Sequence, residues 1–348
     1  MYSQINIKSK IKDYSVSFKS LNEIYNLIGE DFHLAVVDKN VAKYFPQFGK
    51  GDLIVVDTNE DLKSWRGLEK IFDKFAEKKV NTQTKLVVIG GGVLQDAVGF
   101  CASVYCRGIE YYLVPTTLLS QIDSCVGGKT SINYGSRKNI LGTFYPPTEI
   151  LICADFLLSL PQEDFCSGLG ELFKFDLLRN KIEDSHIEKL INDKESILPY
   201  VEESLKYKIS ILEIDEFDKK ERKFLNFGHT FGHALEITSN YKLSHGYAVI
   251  IGCLVALQIS IDLFDYDKNK FDIALNLAKK ILKNTVEIKK EWFDYDALME
   301  CVKSDKKNTG CVNMVLLKDS NPIIQKIEDH SIINRALEKV YEAIWLCN

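Results

Sequence analysis

The chain has 348 residues, of which 46% are hydrophobic and 27% are charged, and 44 basic against 49 acidic side chains give a net charge of -5. This length suffices for two domains of roughly 150 residues, each with its own core, which excludes disordered, collagen-like and coiled-coil proteins. A mildly acidic chain without blocks of like charge lacks the basic face that nucleic-acid binding requires. We therefore expect no nucleic-acid partner.

The amino terminus and the cysteines indicate the compartment. Residues 1–18 lack the apolar core of a secretion signal, and no run reaches the roughly 18 uninterrupted apolar residues that a membrane-spanning helix needs. The nine cysteines are odd in number and form no C-x-x-C pair, which favours reduced, buried thiols over disulfides or a thiolate metal site. The sequence predicts a cytoplasmic protein without a membrane partner.

Short apolar runs alternate with polar or helical stretches in the first 155 residues. There are five of them: His33–Val37, Asp52–Val56, Lys85–Ile89, Tyr111–Val114 and Glu149–Cys153. Continuous apolar strands between helical segments are typical of a parallel sheet covered on both faces. The pattern predicts an N-terminal α/β domain with a Rossmann-like parallel sheet.

Amphipathic patterns replace these runs beyond residue 160, as in Ile187–Ile191 and Phe271–Ala278. We therefore expect a mostly α-helical C-terminal domain, with the boundary in Asp155–Pro161. The predicted domains are residues 1–157 and 158–348, and the cleft between them is the expected ligand site.

Three glycines, Gly90 to Gly92, follow the third run and precede a helical pattern at Val93–Phe100. Glycines at a strand-to-helix turn let backbone amides approach a phosphate group. The spacing is not G-x-G-x-x-G, so a tight turn without a ligand is an alternative. Asp38 follows the first run and is a candidate acceptor for ribose hydroxyls, although a helix cap explains it as well.

The segment 115–139 combines hydroxyl groups, an aspartate, a Gly-Gly-Lys sequence that ends at Lys129, and two further cations, Arg137 and Lys138. It follows the fourth apolar run and should lie at the carboxyl edge of the sheet, where α/β proteins bind ligands. We interpret it as an anion-holding loop, and a polar surface connection is the alternative.

Three of the six histidines, His229, His233 and His245, fall within 17 residues. The first two are four residues apart, so on a helix they share one face and could share a site. With His245 and an acidic residue, for which Glu171 is our candidate, the cluster would make a metal site with an open position, as in catalytic zinc sites. Histidines that only satisfy a polar core are the alternative, and the pattern is not the H-E-x-x-H of zinc proteases.

Together these motifs resemble the 3-dehydroquinate synthase family, within the sugar phosphate cyclases. The matching blocks occur in order along nearly the whole chain, at residues 90–100, 115–119, 123–130, 138–142, 171–174, 225–236, 245–246 and 305–308. The resemblance implies a carbon–oxygen lyase that acts on phosphates, with NAD on the α/β domain and Zn²⁺, or Co²⁺ in its place, between the domains.

The resemblance also assigns residues to each ligand. The implied NAD-binding residues are Asp38, Asn40, Glu60, Lys63, Gly91, Gly92, Val93, Asp96, Thr116, Thr117, Lys129 and Lys138. The implied metal ligands are Glu171, His229 and His245. The implied catalytic residues are His233, Lys129, Lys174, Arg222, Asn226 and Lys208, and the implied substrate-binding residues are Asp123, Lys138, Asn139, Lys306, Lys307 and Arg107. Arg107 matches a family arginine that reaches the neighbouring subunit's site, which implies a homodimer.

The implied reaction converts 3-deoxy-D-arabino-heptulosonate 7-phosphate to 3-dehydroquinate in the shikimate pathway. NAD transiently oxidises a hydroxyl, phosphate leaves by β-elimination, the hydride returns, and ring opening precedes an intramolecular aldol closure. His233 would move protons near the substrate carbonyl. Arg222 would bind the substrate carboxylate, and a surface ion pair with Glu221 is the alternative.

The chain departs from the family pattern at three positions. It has Tyr247 where the family usually has a glutamate after His-Gly, and Phe175 and Asp176 where the family has tyrosine and often glycine. A missing glutamate that oriented a metal-bound histidine would weaken metal binding or slow the reaction. Three alternatives therefore stay open: another sugar phosphate cyclase of secondary metabolism, a metal-dependent polyol dehydrogenase, and a non-catalytic homologue.

Overall fold

The protein is described by a computed structural model, which covers residues 4–45, 51–135, 137–284, 287–304 and 311–345. The chain separates into two compact units. Unit 1 contains Met1–Leu160 and Ile197–Phe217, and unit 2 contains Pro161–Ser196 and Asp218–Asn348.

The described strands and helices are numbered along the chain. The strands are β1 Ile5–Ile7, β2 Tyr14–Phe18, β3 Leu34–Asp38, β4 Asp52–Val56, β5 Leu86–Gly90, β6 Tyr111–Pro115, β7 Lys129–Tyr134, β8 Arg137–Phe144, β9 Glu149–Ile152, β10 Val312–Lys318 and β11 Asn321–Ile327. The helices are α1 Leu21–Asp31, α2 Trp65–Glu77, α3 Gly92–Val104, α4 Asp155–Leu158, α5 Gln162–Leu178, α6 Ile187–Leu190, α7 Leu198–Ile214, α8 His229–Thr238, α9 His245–Phe264, α10 Lys268–Leu282, α11 Tyr295–Ser304 and α12 His330–Trp345.

Unit 1 is built on a seven-stranded sheet in the order β1-β2-β9-β6-β5-β3-β4. All of its neighbouring strands run parallel except β1 and β2. The five predicted strands are confirmed, each within one residue at either end. Every residue of β3 and β5 is buried, as expected for the centre of a sheet that is covered on both faces.

The strand order places a topological switch beside β3. From β3 the chain continues outward to β4, and it then returns to β5 on the other side of β3. The carboxyl ends of β3 and β5 therefore lie side by side, and this is where open α/β sheets bind ligands. A Cβ added to Gly90 would lie 3.3 Å from the Cβ of Asp38, which places the ends of the two strands in contact.

Part of the predicted loop of residues 115–139 is regular structure, because Lys129–Tyr134 and Arg137–Phe144 form the antiparallel β7–β8 hairpin, and the anion-holding role stays a prediction. Thr130 and Ile132 are buried while their neighbours in β7 are more exposed, which is the period-two pattern of a strand with one covered face. A Cβ on Gly142 would overlap the carbonyl oxygen of Thr130, so the two strands approach closely at that pair.

Unit 2 is mostly helical, as predicted, and it also contains the antiparallel β10–β11 hairpin, which the sequence analysis missed. The hairpin is tied to α9 by a hydrogen bond of 3.0 Å from the amide of Leu317 to the hydroxyl of Ser260. Helix α9 is long and apolar enough to cross a membrane by length and composition, but 78% of its apolar window is buried inside the protein. That burial is typical of a core helix.

Helix α7 belongs to unit 1, although it follows the predicted boundary in sequence. The amine of Lys208 in α7 donates 2.6 Å to the carbonyl oxygen of Asp123 and lies 3.0 Å from its carboxylate. The ring of Phe217 packs edge-on against Phe144 at 5.2 Å. The domain boundary after residue 157 stays a prediction. Because α7 belongs to unit 1, the chain passes between the units three times, after Leu160, Ser196 and Phe217.

Helices α5 and α9 approach each other at two glycines. A Cβ on Gly170 would overlap the carbonyl oxygen of Gly246, and a Cβ on Gly246 would overlap the carbonyl oxygen of Ser167. Both obstacles are backbone atoms, which cannot rotate away. Only glycine at these positions lets the two helix backbones pack at this distance.

We expect Gly170→Ala to destabilise the protein by about 1–3 kcal/mol, because the added methyl group must push two helices apart. The change is informative because alanine is the better helix former by about 1 kcal/mol. Urea denaturation measures the effect. The control is Glu163→Ala, at an exposed position of the same helix, which should stay within about 0.5 kcal/mol of the parent. Equal stability of the two variants would contradict the close packing.

Candidate metal and nucleotide sites

Three side chains from three helices of unit 2 converge on one point. Glu171 lies in α5, His229 begins α8, and His245 begins α9. Their ligand atoms all lie within 4.8 Å of one another. The Nε2 atom of His229 lies 3.5 Å from Oε1 of Glu171, and the Nε2 atom of His245 lies 3.3 Å from the same oxygen.

These separations fit a tetrahedral zinc ion. Two ligand atoms that are each about 2.0–2.1 Å from zinc lie roughly 3.3–3.4 Å apart at the tetrahedral angle. The carboxylate of Glu171 is fully buried, and neither of its oxygens accepts a hydrogen bond of good geometry. The ammonium of Lys174 pairs with Oε2 of this carboxylate, while Oε1 faces the two histidine nitrogens, so the residues fit a divalent metal at Oε1.

The charge states of Glu171 and His229 also suit a metal. Burial alone would raise the pKa of Glu171, but the positive charge of Lys174 and the imidazole of His245 hold it well below its usual value. Burial, followed by the charge of Lys174, lowers the pKa of His229 well below its usual value. Glu171 is therefore ionised and His229 neutral at pH 7, which are the forms that bind metal.

Each histidine has a second partner that orients its ring. The Nδ1 atom of His229 lies 3.1 Å from the carbonyl oxygen of Phe227, to which it donates, so Nε2 keeps its lone pair on the side of Glu171. The Nδ1 atom of His245 lies 3.3 Å from Oε2 of Glu236. Burial lowers the pKa of His245, but the carboxylates of Glu171 and Glu236 on its two sides raise it to about 10.

Glu236 was not assigned a role in the sequence analysis, although a signal was present. His229, His233 and Glu236 are spaced i, i+4 and i+7, so they share one face of α8. The three histidine rings form a triangle, with centroids 5.1 Å apart for His229 and His233, 5.3 Å for His229 and His245, and 5.7 Å for His233 and His245. His233 itself is exposed.

Tyr247 does not take the place of an orienting carboxylate. Its side chain is fully buried, and its hydroxyl lies 3.0 Å from the carbonyl oxygens of both Glu163 and Asn284. The hydroxyl donates to one carbonyl at a time and ties α9 to α5 and to the end of α10. Tyr247 is a core residue in this chain.

The predicted nucleotide-binding residues lie in unit 1, around the ends of β3, β5 and β6. The turn after β5 is confirmed: Gly91 precedes α3, which begins at Gly92. A Cβ on Gly91 would lie 3.0 Å from Cγ2 of Thr117, so Thr117 packs closely against this turn. The carboxylate of Asp38 accepts a hydrogen bond of 2.7 Å from the amide of Asn40, which closes a local turn.

The space over the start of α3 is about 280 Å³ when the region open to solvent is included, and its enclosed part has room for about one water molecule. Its polar lining includes Gly92, Asp96, Ser124 and Lys129. Backbone amides at a helix N-terminus and a lysine favour an anion at the same place. The residues of this turn fit a pyrophosphate group.

Glu60, Lys63, Asp96 and Lys138, which are also predicted nucleotide residues, belong to a polar network beside this turn. The amine of Lys63 donates to the carboxylate of Asp96 at 2.6 Å, to the hydroxyl of Ser131 at 3.0 Å, and to the amide oxygen of Asn139. Its three N–H groups thus all have acceptors. Glu60 accepts a hydrogen bond of 2.8 Å from Asn133 and lies 3.9 Å from the amine of Lys138.

The other predicted site residues are distributed between the two units. Lys208 and Asp123 are paired in unit 1, as described above. In unit 2, Arg222 is only 4% exposed, which excludes the alternative of a surface ion pair with Glu221. Lys174 is buried and forms an ion pair with Glu171. Lys306 and Lys307 lie outside the described residues.

Comparison with known proteins identifies the fold first. The structure resembles that of a 2-deoxy-scyllo-inosose synthase complexed with carbaglucose-6-phosphate, NAD⁺ and Co²⁺, with a TM-score of 0.84, 22% identity, and coverage of 97% of this chain and 99% of that one. It also resembles ValA, a 2-epi-5-epi-valiolone synthase from Streptomyces hygroscopicus subsp. jinggangensis with NAD⁺ and Zn²⁺ bound, with a TM-score of 0.83, 22% identity, and coverage of 97% and 99%. The fold is that of a cyclase of this kind.

Family comparison is more specific. The family models described as 3-dehydroquinate synthase N-terminal and C-terminal match residues 53–167 and 168–308. A 3-dehydroquinate synthase from Clostridium tetani is 39% identical over 325 residues, which cover 92% of this chain and 84% of that protein. The chain belongs to the 3-dehydroquinate synthase family.

We expect His229→Ala to weaken zinc binding by more than about 100-fold. Loss of a residue that only hydrogen-bonds to a metal ligand costs about 10–100-fold in affinity, and His229→Ala removes a ligand itself. Zinc affinity can be measured by competition with a chromophoric chelator. The matched control is His330→Ala, which alters a histidine of the same unit outside the cluster and should leave the affinity unchanged. Equal zinc affinity in both variants would rule out the three-ligand site.

Lys63→Met should destabilise unit 1 by about 1–3 kcal/mol, because it leaves the largely enclosed carboxylate of Asp96 without its cation. The Lys63→Met/Asp96→Asn double variant should recover part of this loss, and a thermodynamic cycle of urea denaturation measures the coupling. Additive losses would show that the pair is not coupled.

Proposed function

We propose that the protein catalyses the 3-dehydroquinate synthase reaction, which converts 3-deoxy-D-arabino-heptulosonate 7-phosphate to 3-dehydroquinate and phosphate. The observation that carries this proposal is the convergence of Glu171, His229 and His245 inside the region that the C-terminal family model matches. The chain's identity to a curated member of the family, 39% over most of its length, supports the same activity.

NAD and Zn²⁺, or Co²⁺ in its place, are the proposed cofactors. When bound, they would supply a reversible hydride acceptor and a Lewis acid that polarises the hydroxyl to be oxidised. The proposal for NAD rests on the glycine turn before α3 and on the pocket that contains Lys129. The proposal for the metal rests on a buried carboxylate and a neutral imidazole that face each other at 3.5 Å.

Buried cations are the proposed means of holding the anionic substrate. Arg222 carries a planar fork of donors that matches a carboxylate, and its burial would strengthen that contact. Lys208 is also buried, and its pairing with Asp123 fixes the position of its amine. A neutral polyol offers no negative charge to these two buried cations, which argues against a polyol dehydrogenase.

Proton transfer is assigned to His233. Its exposed ring lies beside the ring of His229, so a substrate oxygen held near the cluster would be within reach of an imidazole that can accept or donate a proton. Lys174, which pairs with Glu171, would keep that carboxylate ionised while the substrate changes charge.

A homodimer in the cytoplasm is the proposed state of the protein. Arg107 lies next to Gly108 at the end of α3, and both residues have a positive φ, of 63° and 121°. We assign Arg107 to the site of the neighbouring subunit on the basis of the family resemblance alone.

Phosphate release without NADH accumulation is the expected signature of the reaction. The protein should release phosphate from the heptulosonate phosphate in the presence of NAD and Zn²⁺, because each hydride that is removed is returned. Arg222→Ala should lower kcat/KM by about 100-fold or more, since the loss of a buried charged contact costs several kcal/mol. A phosphate-coupled assay and absorbance at 340 nm measure both quantities.

The control for that experiment is Arg335→Ala, which removes an exposed arginine on α12 and should leave the rate unchanged. Steady NADH formation with glycerol would instead indicate a polyol dehydrogenase. Absence of phosphate release from a protein that has bound zinc would contradict the proposed reaction.

A further inference from the structure

The imidazole of His245 is held between two carboxylates. Its Nε2 atom faces Oε1 of Glu171 at 3.3 Å, and its Nδ1 atom faces Oε2 of Glu236 at 3.3 Å. A neutral imidazole carries one N–H, and whichever nitrogen donates it leaves the other with a lone pair. Donation from Nδ1 to Glu236 therefore leaves the lone pair of Nε2 on the side of the metal cluster.

We propose that Glu236 is a positioning residue, which fixes the tautomer and ring orientation of His245 for metal binding. This inference rests on the metal site in the proposed function. Glu236 thus takes the role of orienting a metal-bound histidine, which the family resemblance suggested for the glutamate that usually stands at the position of Tyr247. The hydroxyl of Tyr247 is bonded to carbonyls of other elements and does not perform this role.

His229 and His245 differ in the hydrogen-bond partner of their Nδ1 atoms. His229 donates to a backbone carbonyl, at Phe227, whose position is set by the turn before α8. His245 is the first residue of α9, where the positive end of the helix dipole makes a ring nitrogen a poorer electron donor. A carboxylate on Nδ1 offsets this effect and increases the basicity of Nε2. The side chain of His245 is also the more exposed of the two, at 29% against 13% for His229. Its ring is therefore less restricted by packing, and a hydrogen bond that fixes its orientation has a larger effect.

The position of Glu236 on α8 suits this role. It lies seven residues after His229, two helical turns along the same face, and its side chain is half-buried. One rigid helix thus carries both a metal ligand and the partner of another ligand. A shift of α8 would move both together, so the geometry of His229 and His245 is coupled through the helix.

A second metal site that shares Glu236 and His245 is the alternative to this proposal. His233, Glu236 and His245 also place ligand atoms within 4.8 Å of one another, and a metal ion bound there would use Nδ1 of His245. Such an ion would displace the proton that Glu236 accepts. The two arrangements predict different metal stoichiometries, one ion per chain for a positioning residue and two for a second site.

The test uses Co²⁺ as a spectroscopic probe in the full-length protein. Glu236→Ala, which removes the acceptor, should weaken Co²⁺ and Zn²⁺ binding by about 10–100-fold and alter the visible absorption of bound Co²⁺. Glu236→Gln keeps a neutral acceptor of the same size, so it should lose less affinity and keep more of the parent spectrum. Glu300→Gln, at an exposed position of α11 in the same unit, is the control and should match the parent in both measurements.

The outcomes separate this inference from the proposed function. Affinity and spectrum unchanged in Glu236→Ala, with one metal bound, would overturn the positioning role and leave the metal site intact. Two Co²⁺ ions in the parent and one in Glu236→Ala would overturn it in favour of a second site. A parent chain that binds no metal would overturn both proposals. Glu236→Gln, which is isosteric, keeps the test valid if Glu236→Ala does not fold.

Discussion

The metal cluster depends on the close approach of three helix backbones at glycine. Each proposed ligand has a glycine beside it in the chain: Gly170 precedes Glu171, Gly228 precedes His229, and Gly246 follows His245. A Cβ on Gly170 or Gly246 would overlap the backbone of the facing helix, and a Cβ on Gly228 would overlap the side chain of Cys253 in α9. Because no methyl group separates the helices, ligand atoms carried by three different elements come within reach of one ion. The glycines and the ligands thus belong to one packing arrangement. A substitution at one of the glycines would move the ligands.

Burial makes the electrostatics of this cluster strong and interdependent. Glu171 is fully buried and stays ionised because Lys174 and the histidines surround it. Burial, followed by the same positive charge, lowers the pKa of His229 and keeps it neutral, so one lysine acts on the charge state of two proposed ligands. Glu236 acts in the opposite direction on His245, whose pKa two carboxylates raise. In a solvated site these effects would be screened, whereas here they determine which groups can bind a cation.

The proposed nucleotide site of unit 1 is positioned by the parallel sheet rather than by helix packing. Its position is set by the strand order, because the chain reverses direction across the sheet between β3 and β5 and leaves a crevice at their carboxyl ends. The glycine turn supplies free amides there, while the network around Lys63 ties the β7–β8 hairpin to α3. The role of Lys63 in the packing of this region is therefore independent of any nucleotide, since all three of its donors have protein acceptors.

The sequence alone determined those elements that a short stretch of residues is enough to predict. The five predicted strands, the glycine turn before α3 and the shared face of His229 and His233 follow from hydrophobic runs and from spacing along one helix, and the family blocks predicted the ligand set. Tertiary structure alone decided the features that depend on contacts between distant segments. The β7–β8 hairpin was hidden because its alternation is weak among polar residues, and α7 joins unit 1 through Lys208, far along the chain from Asp123. The partner of His245 is Glu236 rather than residue 247, because helix packing brings residues nine positions apart face to face, while Tyr247 points into the core.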